Sequence, residues 1–166
     1  MTLRKAELTD FTQFCVLYAE SSYQVLYLPD ESDEEHKVTD EEINSVLDML
    51  QIDLEFINSQ YEKLSQERYE EMLKNKKIFL LEDDNGQIVG YISAIVIKRY
   101  SYRIDEIAMI NRKCDAFTLR TIIADLVSKI PNMKEISIFP SNKKAKEILE
   151  MLEFQKDRGG IYSKRM

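Results

Sequence analysis

The feature that most limits the folds open to this chain is a change of hydrophobic period near residue 76. Before it, apolar residues recur every three to four positions; after it they run in short, β-branched stretches. Residues 77–82 (KIFLLE) read as a strand, Asp84-Asn85-Gly86 as a tight turn, and residues 87–97 (QIVGYISAIVI) as the partner strand. Asn-Gly supplies the left-handed residues that a short hairpin turn needs, and Val, Ile and Tyr suit a pleated, half-buried surface. Gly90 inside the second strand predicts a bulge or a close backbone approach. Residues 102–110 (YRIDEIAMI) continue as a third strand, which makes an antiparallel meander.

The flanks set the fold class. Residues 2–6 (TLRKA) read as a short first strand. Thr9 or Asp10 is placed to cap a helix in which Phe11, Phe14, Leu17 and Tyr18 recur at helical spacing, as far as about Tyr23 or Tyr27. Residues 29–35 (PDESDEE) are a proline-started acidic run that reads as a solvated loop. Thr39 and Glu42 form a capping box for a long amphipathic helix reaching Leu64, either continuous or broken near Gln60, and Ser65 can cap another over 66–74. Beyond the meander, Asp115 caps a helix over 115–130 that Pro131 stops. Residues 134–139 are a strand. Pro140-Ser141-Asn142 opens a helix with Ala145, Ile148, Leu149 and Leu152 on one face, and residues 154–158 and 161–164 close the chain as strands around Gly159-Gly160. The expected architecture is α/β (α+β): a mixed, mostly antiparallel sheet with helices on both faces and an enlarged helical segment over 29–75. Its 166 residues suit a single domain.

Composition enters through what it excludes. A net charge of −7 and a pI near 4.9 repel phosphate backbones, so nucleic acid is not an expected partner, whereas a cationic partner or an amine substrate would be suited. No run approaches the ~18 apolar residues of a membrane span. The N-terminal residues lack the apolar core and cleavage site of a secretory signal, so the expected location is cytoplasmic and no membrane association is expected. Cys15 and Cys114 form no CxxC pair, and His36, the one histidine, lies in a charged stretch without further ligands, so neither a disulfide nor a metal is expected. Cys114 follows two basic residues near a helix start, where a thiol is expected to be somewhat acidic.

Three local patterns carry a family resemblance. They are Ile104-Asp105-Glu106-Ile107-Ala108-Met109, the pair Ile122-Ile123, and the segment from Asn142 through Ala145, Leu149 and Glu153 to Phe154. With the element order, they resemble the GNAT acetyltransferase superfamily: its fourth strand (often I-E-D-L-A-V), the Leu-Leu of its third main helix, and its N-x-x-A-x-x-x-Y-x-x-x-G-F segment. The order spans the whole chain and the motifs span residues 77–164.

The resemblance implies acyl transfer from acetyl-CoA to an amine of a small molecule or peptide. The family holds the pyrophosphate on backbone N–H groups of an R/Q-x-x-G-x-G/A loop at a helix N-terminus. The residues falling there or nearby are Met109, Ile110, Cys114, Asp115, Ala116, Phe117 and Thr118, with Asn142 beside the pantetheine. The loop's glycine positions fall on Asp115, Phe117 and Leu119, and none is glycine. Asp115 as a helix cap would put negative charge near the phosphates, while Arg112 and Lys113 could still hold one. Asn142 equally reads as a helix N-terminal residue. The family's proton-donating tyrosine falls on Leu149 and a family glycine on Glu153, so Tyr162, or Tyr102, is named as the acid instead. Glu106 is the expected general base. Asp105 and Glu106, adjacent on a strand, are expected on opposite faces and therefore not as a pair; read structurally, either would pair with Arg103 or Lys98. Tyr23 and Tyr27 are expected to line the acceptor groove. Two functions fit: an N-acetyltransferase, or a catalytically degenerate domain of the same fold that binds a ligand or protein partner. The hairpin and closing strands leave a homodimer open.

Overall fold

In a computed structural model of the chain, the described residues are 1–21, 64–110 and 114–166. The meander is built as expected. Strands β1 (Thr2–Lys5), β2 (Lys77–Glu82), β3 (Ile88–Lys98) and β4 (Ser101–Met109) pair antiparallel in that order. The β2–β3 turn passes through Gly86 at φ +75°, and the Asp83 carboxylate accepts from the N–H groups of Asn85 and Gln87. Such a side-chain-closed turn fixes the hairpin register locally.

β4 then pairs in parallel with β5 (Glu135–Ile138), beyond which lie β7 (Tyr162–Arg165) and β6 (Gln155–Lys156). The result is one seven-stranded sheet of order β1-β2-β3-β4-β5-β7-β6. Helices α1 (Phe11–Ser21), α2 (Gln66–Asn75), α3 (Ala116–Lys129) and α4 (Lys143–Met151) complete the described elements. Ser65 caps α2, Asp115 caps α3 and Asn142 caps α4, each accepting a backbone N–H three residues on. Among the described residues no helix is long and apolar enough to cross a membrane.

The sheet separates two cores. On one face Ile104, Ile136 and Ile138 meet Leu119 and Leu126 of α3 and Leu149 of α4, all fully buried. On the other, Leu80 and Tyr91 meet Phe14 and Leu17 of α1 and Tyr69 of α2, with the Phe14 ring 4.7 Å from Tyr91 and 4.9 Å from Tyr69. Each such side chain removed from water contributes about 1.5–3 kcal/mol.

Three sequence expectations resolve here. Gly90 marks a close approach: a Cβ there would run into the carbonyl oxygen of Ala108 on β4, and the register of β2 with β3 shifts just beside it. The cap of the first helix lies elsewhere than expected. Glu7 opens a 3-10 turn (Leu8–Asp10) that runs into α1, and neither Thr9 nor Asp10 is its cap. Asp10 accepts the Glu7 N–H at 2.8 Å and takes Arg4 in a fork at 2.9 and 3.0 Å, while Arg4 also reaches Glu82 at 2.7 Å. The arginine holds the Asp10 carboxyl below its usual range. Finally, Glu153, standing where the resembled family has glycine, takes a left-handed conformation at φ +65°. Glu153 N–H bonds Glu150 O, and Phe154 N–H bonds Leu149 O, which closes α4 with a left-handed cap.

Candidate functional site

The site begins where β4 breaks its alternation. Ser93 pairs with Glu106 and Ala94 with Ile104, so Asp105 is an extra residue on β4, a β-bulge. The two-residue period fails there, and the expectation that Asp105 and Glu106 face opposite sides is overturned. Both carboxylates reach the hydroxyl of Ser93, which stands 2.5 Å from Asp105 Oδ1 and 3.3 Å from Glu106 Oε2. The Tyr91 hydroxyl donates to the same Glu106 oxygen at 3.3 Å. Lys76, the residue after α2, closes the cluster with its Nζ 2.6 Å from Asp105 Oδ2.

The electrostatics separate the two acids. Burial pushes the Glu106 carboxyl above its ordinary value; Lys76 opposes this, Asp105 adds to it, and the Ser93 and Tyr91 donors offset part. Burial pulls the Lys76 ammonium down, but its bond to Asp105 and the charges of Asp105 and Glu106 outweigh that and leave it above its ordinary value. Asp105 is therefore tied to a cation, and Glu106 is a half-buried carboxylate with a raised proton affinity. That combination suits proton uptake from a bound amine.

The cluster lies where β4 and β5 stop pairing. The parallel ladder of β4 with β5 ends at Ile104–Ile138, while β4 runs on to Met109. Among the described residues, β4 from Asp105 onward pairs only with β3, which leaves its other edge without a strand partner there; such an edge suits an extended group able to hydrogen-bond a strand. The N-terminus of α3 follows on the same chain segment. There Asp115 Oδ1 accepts the Thr118 N–H at 2.7 Å, and that backbone donor holds the Asp115 carboxyl below its usual range. Phe117 is 77% exposed.

The chain superposes on solved acetyltransferases. No protein-family model matches the sequence, and no curated protein sequence matches it. Among solved structures, an acetyltransferase from Thermus thermophilus superposes at a TM-score of 0.57 with 13% identity, covering 100% of this chain and 98% of that one. A dodecameric spermidine N-acetyltransferase from Vibrio cholerae gives 0.55 with 20% identity, covering 99% and 91%. Rv2747 from Mycobacterium tuberculosis, in a complex containing CoA, gives 0.57 with 12% identity, covering 95% and 74%.

The chain has the GNAT fold. At these identities the likeness settles architecture alone, since one fold hosts many functions.

Within that GNAT fold the residues expected to act do not all meet. Glu106 shares a face with Tyr91 and Ser93, whereas Tyr162 is packed in the core under α3 and α4, on the opposite face. The Tyr162 hydroxyl donates to Glu150 at 2.9 Å, and burial together with that carboxylate raises its pKa. Tyr102 also packs against the α3–α4 core. Cys114 is buried, and burial pushes its thiol up to about 12, so the expected acidic thiol is absent. Met109 packs against the same core, and Ile110 is partly exposed on a cavity of about 570 Å³ between α1 and the β2–β3 turn. Asn142 serves as helix cap, accepting the Ala145 N–H at 2.9 Å. Ala116, Phe117 and Thr118 form the first turn of α3. Tyr23, Tyr27, His36, Arg112, Lys113, the acidic run over 29–35 and the long helix expected after Thr39 lie outside the described residues.

Sequence reasoning missed Lys76, Tyr91 and Ser93, and that among the described residues the Arg103 Nε has no hydrogen-bond partner. Tyr91 and Ser93 left a trace: two hydroxyl residues at spacing two within an apolar strand. Lys76 left none, because its role depends on where α2 ends.

Proposed function

We propose that the chain is an N-acyltransferase, and that Glu106 takes the proton from the acceptor amine. The observation that carries this reading is the bulge, which sets a carboxylate of raised proton affinity beside the open edge of β4. Spermidine N-acetyltransferase and a CoA complex among the structures of like fold support an amine acceptor and acetyl-CoA as donor.

The donor fits in part. The open β4 edge over residues 105–109 matches an extended pantetheine arm, since its backbone groups beyond Ile104 have no β5 partner. The start of α3 does not match a diphosphate in its described conformation: the Thr118 N–H that a phosphate would want already serves Asp115, which is itself an anion. When bound, acetyl-CoA would supply the activated acetyl group.

The protein's own part is then specific. Tyr91 and Ser93 fix one Glu106 oxygen and leave the carboxylate able to accept a proton. Lys76 neutralises Asp105, so that the pair of acids does not become a doubly charged site. No described tyrosine replaces the side chain at Leu149, and a thiolate can take its proton from water.

A second reading has its own support. Asp115 on the α3 amides and fully buried Leu149 in place of tyrosine both fit a domain that keeps the fold and binds a ligand without acylating it. Thermal unfolding with millimolar acetyl-CoA, desulfo-CoA or ADP separates the two. A higher midpoint with the CoA species supports acyl transfer, because a ligand of the native state must stabilise it. No shift with any of them would remove the acyltransferase reading.

A further inference from the structure

Arg103 lies on β4 between Ile95 of β3 and Ser137 of β5. Ile104 and Tyr102 face the α3–α4 core, so Arg103 projects to the other side, the side of Glu106. Its Nε is shut off from water and has no hydrogen-bond partner. The acids of β4 and β5 are all occupied elsewhere. Asp105 is held by Lys76 and Ser93, Glu106 by Tyr91 and Ser93, and Glu135 by Ser101 at 3.0 Å with Lys98 at 4.0 Å. Among the described residues the guanidinium makes no ion pair. A partly buried cation that shares a face with three acids and pairs with none carries a desolvation cost without return.

We infer that Arg103 receives the carboxylate of the acceptor, and that the acceptor is an amine that also bears an acid, a free amino acid. This rests on the acyl-transfer reading of the same site. Arg103 and Glu106 are separated by about 7–10 Å along the strand, given ~3.3 Å per residue and one bulged position. An extended arginine side chain shortens that span to one that a zwitterion bridges, with its amine toward Glu106 and its carboxylate in the planar fork of the guanidinium. A polyamine, cationic at every nitrogen, would meet repulsion at Arg103.

The test compares the common free amino acids with their amides and with spermidine, on the full chain, by calorimetric titration without any donor and by thiol release with acetyl-CoA. At least one free amino acid is expected to bind about ten- to hundredfold more tightly than its amide, the range of a charged hydrogen bond. Arg103→Leu should erase that ratio and Arg103→Lys should keep part of it. The ligand-free Arg103→Leu protein should melt at the same temperature or higher, since it loses an unpartnered cation. Equal binding of acid and amide by the wild type, no binding of any free amino acid, or a lowered midpoint for ligand-free Arg103→Leu each overturns the inference. Amide acetylation at the acid's rate overturns it while leaving acyl transfer intact. Acid-selective binding without thiol release does the reverse: the carboxylate site stands and the acyl-transfer reading falls.

Discussion

The two faces of the sheet solve different problems. Under α3 and α4, the surface of β4 and β5 is apolar and closed: Ile104, Ile136, Ile138, Leu119 and Leu149 are fully buried and Tyr162 sends its hydroxyl outward to Glu150. Under α1 and α2, β3 carries Tyr91 and Ser93 and β4 carries Arg103, Asp105 and Glu106, with Lys76 beside them. One face maximises contact. The other accepts buried charge, which stabilises a fold poorly and serves chemistry well.

That contrast predicts opposite behaviour on mutation. The largest effect should fall on the polar face. Glu106→Gln is expected to lower acyl transfer by about a hundred- to ten-thousandfold, the contribution of a positioned base, with no loss of thermal midpoint. The pH dependence follows from the direction of its shift. Its folded-state pKa is raised, so the stability it contributes is full below its unfolded value and is lost as pH rises through the folded one. The acid limb of the rate should lie above the ordinary glutamate range, and Glu106→Gln should flatten the matching slope in stability. A limb at the ordinary value would erase the difference between the faces.

On the closed face, Leu149→Ala should cost about 2–5 kcal/mol in denaturant titration, because it opens a hole in a filled layer. A cost below that range would mean that this layer is looser than its burial implies. Asp115→Ala should cost about 1 kcal/mol as a lost helix cap, and at the same time tighten acetyl-CoA binding by clearing a negative charge from the α3 N-terminus. Stability and affinity moving in opposite directions is the diagnostic. The smallest change is Glu153→Gly, expected to stabilise by roughly 0.5–1 kcal/mol through relief of a left-handed non-glycine residue. Its ion pair with Lys164 at 3.5 Å is exposed and subtracts little.

Much of the described fold was legible because it is written in local signals. The hairpin turn, the caps at Ser65, Asp115 and Asn142, and the apolar stripes of α3 and α4 each need only neighbouring residues. The candidate site was less legible. Glu106 could be named from the motif on its strand, but its partnership with Asp105 could not, because alternation is the rule that a bulge breaks. Tyr162 was assigned by element order, which does not say which face a side chain takes. Cys114 was judged by the basic residues before it, whereas burial decides its thiol. The entry to α1 misled for a similar reason: Asp10 carries a capping residue's chemistry, but Arg4 of β1 fixes its place.

The extra residue on β4 also has a bearing on length variation in this strand. Ile104 points to one core, Asp105 and Glu106 together to the other side, and Ile107 back again. Removing Asp105 would restore simple alternation and leave every later side chain on the face it now occupies. Removing any regularly paired neighbour would instead invert the strand from that point on. Asp105 therefore behaves as a spare beat in the strand's rhythm: a second acid can be gained or lost there without putting the rest of the sheet out of phase.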